Sequence, residues 1–157
     1  MAEDDRKLTL EEFLPYRLNV LAEIVSQSLA KLYERRFGIA NPEWRVLATL
    51  GQYPRMTAKQ VGAHSRMHKT KVSRAVAALE AKGLIERSAN ADDLRESFLA
   101  LTAAGRDVYQ KLVPDALAFS DTLFSSLSPE EQRSLETIVE RLISASLALA
   151  DKLEKQP

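Results

Sequence analysis

The chain has 157 residues, 45% of them hydrophobic, and its 22 basic and 22 acidic side chains give a formal net charge of zero. That fits one globular domain, alone or with helical extensions, and net charge offers no argument for a nucleic-acid partner. There is no cysteine, which excludes disulfides, thiolate zinc sites and a thiol-based oxidation switch.

The acidic start MAEDDRK is no secretory signal, and the best apolar run, LISASLALA, falls well short of a membrane span, so a cytoplasmic protein is expected. Thr9 and Glu12 make a capping-box pattern, with Pro15 as an early turn or kink before a long helix through Arg36 that Gly38 ends. Leu14, Leu18, Leu21, Val25, Leu29 and Leu32 recur along it at threes and fours, too long a stripe for a helix serving only a small module. Asn41, Pro42 and Glu43 supply a cap, a first-turn proline and a first-turn acid for a helix through about Gln52.

Thr57 and Gln60 form another capping box and start a short helix, TAKQVGAHS, with a turn around Ser65 to Met67. A second helix follows from about His68 to Lys82, and Gly83 stops it. Val72, Val76 and Leu79 share its buried stripe, which leaves Lys69, Thr70, Lys71, Ser73 and Arg74 near its start to meet phosphates and base edges. LIERSANADDLRESFLALT then reads as two strands around a charged tip. Thr102 begins a fifth long helical stretch containing Pro114, where a bend is expected. Ser128, Pro129 and Glu131 repeat the capping logic before a last helix whose Leu135, Ile138, Val139, Leu142, Ile143, Leu147 and Leu149 form a wide apolar face.

A helix-turn-helix followed by a charged hairpin makes DNA the expected partner. The charge distribution supports this: from Arg55 to Arg87 there are eight basic residues (Arg55, Lys59, Arg66, Lys69, Lys71, Arg74, Lys82, Arg87) against two acidic ones, inside an acidic remainder. Such a field attracts DNA to one lobe and repels it from the others. The apolar excess of the first and last helices needs cover. The economical solution packs both chain ends together and against a second copy, which would also let two half-sites be read.

Read together, MHKTKVSRAVAALEAKGLIER and NADDLRESFLALT resemble the MarR family of dimeric winged-helix transcription regulators, and the flanking long helices extend the resemblance over nearly the whole chain. The resemblance implies a mostly α fold with a small β-hairpin wing. Residues 41–102 would be the winged helix-turn-helix DNA-binding region, and residues 1–40 and 103–157 a helical dimerisation region. It further implies that Arg95 of the wing enters the minor groove while Asp93 helps hold it, and Arg66 is expected to position phosphates. Leu94 departs from the arginine often found between Asp93 and Arg95, and His68 stands where an acidic residue is frequent.

MarR-like proteins commonly bind small aromatic or anionic molecules between their lobes. The candidates here are Phe13, Tyr16 and Arg17 near the start of the first helix and Trp44 and Arg45 in the second, each equally suited to packing. The expected function is therefore a homodimeric DNA-binding regulator, a repressor, released by such an effector. His64 and His68 have the i, i+4 spacing of two metal ligands, but the predicted turn lies between them and no third ligand is evident. A metal-responsive regulator and a helical dimerisation module without DNA binding are the alternatives. No phosphate loop, activated nucleophile or perturbed acid pair points to catalysis, and no cofactor is expected.

Overall fold

The computed structural model describes residues 7–155. The elements in chain order are α1 (Leu14–Phe37), α2 (Asn41–Gln52), β1 (Met56–Thr57), α3 (Ala58–Ser65), α4 (Lys69–Ala81), β2 (Ile85–Ala89), β3 (Ser97–Leu101), α5 (Ala103–Phe124) and α6 (Pro129–Glu154). This is the mostly α fold with a hairpin that the sequence predicts.

Two expected helix starts differ. Thr9 does not cap α1: its carbonyl accepts from the N–H groups of Glu12 and Phe13 (3.1 and 3.0 Å), closing a separate turn, and the helix begins only at Leu14. Pro15 explains the delay, because a proline fits the first turn, where N–H groups have no helical partner, and would break a helix begun at Thr9. Asn41 is not the cap of α2 either. Extended Ala40 holds that place, and the Asn41 amide donates instead to Ser26 Oγ (2.5 Å), tying α2 to α1.

The other two capping boxes form. Thr57 Oγ1 accepts from Gln60 N–H (3.2 Å) while Gln60 Oε1 accepts from Thr57 N–H (2.8 Å), and Ser128 and Glu131 repeat the exchange at α6. Each box meets two N–H groups that a helix start leaves without partners.

The sheet has three strands in the order β1-β3-β2, all antiparallel. β2 pairs with β3 from Ile85↔Leu101 to Ala89↔Ser97, and β1 adds the pairs Met56↔Leu99 and Thr57↔Phe98. β1 was not expected, because two residues carry no alternation to read.

The chain forms two compact units, divided between Asp115 and Ala116, one residue past Pro114. The first unit holds the core, in which Tyr33, Ile39, Val46, Leu47, Leu50, Val61, Val76, Leu79, Leu99 and Leu112 are fully buried. α5 enters it so closely that a Cβ on Gly105 would lie 1.9 Å from the carbonyl oxygen of Leu84. In the second unit, the Gln132 amide donates to the carbonyls of Phe124 and Leu127 (3.0 and 3.1 Å), closing the turn into α6. α6 has no buried residue: Leu135, Ile138, Val139, Leu142, Ile143, Leu147 and Leu149 are all exposed in the single chain. No helix among the described residues is long and apolar enough to cross a membrane.

Candidate nucleic-acid interface

α3 ends in a left-handed turn. Arg66 takes φ 52°, the one positive φ among the described non-glycine residues, and Met67 N–H reaches back to the Gly62 carbonyl (3.1 Å). Met67 is buried, which pins the turn, and His68 then caps α4, its Nδ1 accepting a long bond from Thr70 N–H (3.5 Å). Along α4, Val72, Ala75, Val76 and Leu79 are buried, while Lys69, Thr70, Lys71, Ser73 and Arg74 all face solvent.

Neither α3 nor α4 has an acid in its first turn, whereas α2 has Glu43 there and α6 has Glu130 and Glu131. In that first turn α3 carries Lys59, and α4 carries Lys69 and Lys71. A helix N-terminus behaves as roughly half a positive charge, so each such lysine costs about 0.3–1 kcal/mol in the free protein. An anion at the site reverses that sign.

Three of the eight basic residues are occupied internally. The Arg55 guanidinium lies over the Phe98 ring (3.9 Å), Lys82 binds Gly38 and Glu43, and Arg87 makes a forked pair with Glu80 (2.7 and 2.9 Å) that holds its guanidinium charged even more firmly than usual. Lys59, Arg66, Lys69, Lys71 and Arg74 have no carboxylate within ion-pair distance among the described residues.

The wing tip is organised by its own side chains. Buried Asn90 accepts from the N–H groups of Asp92 and Asp93 (3.0 and 3.4 Å). Asp93 Oδ1 accepts from the backbone N–H and Nε of Arg95 (3.0 and 3.1 Å), and Oδ2 from Nη2 (3.4 Å). These bonds, the side-chain ones first, hold the Asp93 carboxyl below the usual carboxylate range, with Lys59 adding a smaller attraction. The Arg95 side chain is nonetheless 91% exposed, a guanidinium aimed outward with its fork already oriented. Leu94 beside it is 88% exposed.

Between α3, α4 and the wing lies an open groove of about 700 Å³, with Met67, Val72 and Val76 at its floor and Lys59, Lys69, Arg87 and Arg95 on its walls. A second hollow of about 480 Å³ lies on the other side of α4, against the start of α2, and includes His68, Lys71, Arg74 and Glu43. Cations therefore flank α4 on both sides. Lys59 stood outside the residues singled out from the sequence for DNA contact, and its place two residues after the capping Thr57 was the signal for it.

The other candidates are placed as follows. Phe13, Tyr16 and Arg17 are exposed at the start of α1. Trp44 stacks on Tyr33 near the far end of that helix (centroids 4.5 Å apart), and Arg45 donates to the Ser65 carbonyl (3.5 Å). Tyr33 lies 17 positions beyond Tyr16, about 25 Å along the axis, so within one chain the two groups do not meet across a cleft. His64 Nδ1 lies 3.4 Å from Thr49 Oγ1 with the ring edge-on to Tyr53, while His68 caps α4. Among the described residues no three His, Cys, Asp or Glu side chains are grouped to hold a metal.

The MarR family profile matches residues 39–97. A MarR-family transcriptional regulator of Streptomyces coelicolor, crystallised in complex with DNA, is 27% identical with a TM-score of 0.79, over 91% of this chain and 92% of that one. A MarR-family regulator of Silicibacter pomeroyi is also 27% identical, with a TM-score of 0.74 over 89% and 96% of the two chains. Among curated proteins, the HTH-type transcriptional regulator YwoH of Bacillus subtilis is 24% identical over 121 residues, 77% of this chain and 87% of its own. With the positive groove, the outward arginine and these likenesses in agreement, the chain carries a MarR-like winged helix-turn-helix and is similar to MarR-family transcription regulators rather than to enzymes.

Proposed function

We propose that this regulator acts in the cytoplasm as a homodimeric repressor on pseudo-palindromic promoter DNA and is released by a small aromatic or anionic effector. α4 enters the major groove with Lys69, Thr70, Lys71, Ser73 and Arg74, Arg66 positions phosphates, and Arg95, steadied by Asp93, enters the flanking minor groove. The observation that carries this reading is the groove between α3, α4 and the wing, where exposed cations collect at two helix starts that already repel them. A polyanion is the partner for which that placement is favourable.

Residues 41–102 are the DNA-reading region, and residues 1–40 and 103–157 the dimerisation region. The exposed leucines of α1 and α6 support pairing, since burying each one contributes about 1.5–3 kcal/mol. An effector site drawing on Phe13, Tyr16 and Arg17 together with Trp44 and Arg45 takes the two groups from different chains. Release follows by population shift: DNA selects the dimer whose α4 helices lie one helical turn apart, roughly 34 Å, and the effector favours another spacing.

Selection of duplexes by the full chain from random DNA, then sedimentation of the complex, tests the reading. An inverted repeat bound by two chains is expected. Absence of any selected motif overturns DNA reading, and a motif bound by a single chain overturns the dimer.

A further inference from the structure

Lys82, at the end of α4, does not face the groove. Its Nζ donates to the Gly38 carbonyl (2.6 Å), at the left-handed end of α1, and to Glu43 Oε2 (2.5 Å), in the first turn of α2. The Glu43 side chain is only 13% exposed, and a carboxylate so placed is costly to leave without a partner. One ammonium thus joins the reading helix to the junction of two scaffold helices.

The rest of the α4 mounting is less directional. Val72, Ala75, Val76 and Leu79 pack by apolar contact, which tolerates small rotations and slides. At the same end, Glu80 grips Arg87 of β2, so the wing shares this anchorage. A tilt of about 5° around the Lys82 end moves Lys69, thirteen residues back, by roughly 1.7 Å, more than a base contact tolerates.

We infer that Lys82 is a positioning residue for operator reading: without touching DNA, it sets the angle of α4 through Gly38 and Glu43. The inference rests on the DNA reading proposed above. It predicts that breaking the link harms sequence discrimination more than it harms general attraction to DNA.

The test uses full-length Lys82→Met and Glu43→Gln proteins on a duplex selected by the wild type and on a scrambled duplex, each titrated across a salt series. Both variants should lose about tenfold in the selected-to-scrambled affinity ratio, the size of one lost charge-assisted hydrogen bond. Their salt slope and scrambled-duplex affinity should stay those of the wild type, Lys82→Arg should restore the ratio, and the double variant should lose no more than either single one. Weaker binding to both duplexes with a slope smaller by about one unit would instead make Lys82 a phosphate contact and overturn the proposal. So would an unchanged ratio, or a lower melting temperature with discrimination intact. If Lys82→Met does not fold, Glu43→Gln carries the same expectation. A wild type that selects no duplex overturns the DNA reading itself, a separate outcome from an unchanged ratio.

Discussion

Removing the wing arginine separates the contact from the clamp that orients it. Arg95 is 91% exposed and its described side-chain bonds go only to Asp93, so Arg95→Ala should leave the fold and its assembly unchanged. Loss of one minor-groove guanidinium should weaken operator binding by about 1–3 kcal/mol. Asp93→Ala keeps the charge and frees the fork. A loose arginine must give up rotamer freedom to be held, and part of that is already met by the bonds to Asp93, so this variant should lose clearly less than Arg95→Ala. The double variant should match Arg95→Ala alone. Because Arg95 depresses the Asp93 carboxyl, the charged clamp persists as pH falls through the ordinary carboxylate range and is lost only below it, so the Arg95 contribution should stay flat from neutral into mild acid. Fluorescence anisotropy on a labelled selected duplex at fixed salt, repeated across pH, reads all of these. An Arg95→Ala protein with wild-type affinity, or an Asp93→Ala loss larger than that of Arg95→Ala, refutes the reasoning.

On α4 the two kinds of contact should come apart: Lys69→Ala lowers affinity for all duplexes and reduces the salt slope by about one, whereas Arg74→Ala relaxes preference at one operator position. An identical selected motif for Arg74→Ala would remove its base-reading role. Leu142→Glu should lower the dimer population, and with it operator binding, in a concentration-dependent way seen by sedimentation, since a leucine buried there contributes about 1.5–3 kcal/mol. Gly105→Ala forces a methyl into the Leu84 carbonyl and should destabilise the first unit by about 1–3 kcal/mol in denaturant melts; an unchanged midpoint contradicts the packing described. Burial raises the Tyr33 hydroxyl to about 12 from 10.0, so the unfolded chain releases its proton first, and stability should fall as pH rises between those values. Tyr33→Phe should abolish that alkaline loss.

Elements with a strong local signal were legible in the sequence. The boxes at Thr57 and Ser128, the apolar stripe of Val72, Val76 and Leu79, and the stop at Gly83 all act over a few residues, and each appears as read. Errors arose where two local signals compete: Asn41 is a good cap in isolation, yet Ala40 holds that place while the amide finds Ser26, fifteen residues earlier. The same distance effect hid which cations are free. Nothing near Arg55, Lys82 or Arg87 in the chain announces the Phe98 ring, the Gly38 carbonyl or the Glu80 fork that occupies each. The proposed effector residues were grouped by chemistry, and only the length of α1 shows that one chain keeps them apart.

The left-handed residue between α3 and α4 carries a trade-off. At φ 52° a side chain bearing a Cβ is strained by roughly 1–2 kcal/mol, and glycine would relieve it. The chain places Arg66 there, exposed, three residues before the first residue of α4. A charge thus stands where glycine would be easier for the backbone, at an exposed point of the turn. Stability engineering that followed backbone preference alone would choose glycine at this position first and would remove a cation from the proposed DNA face.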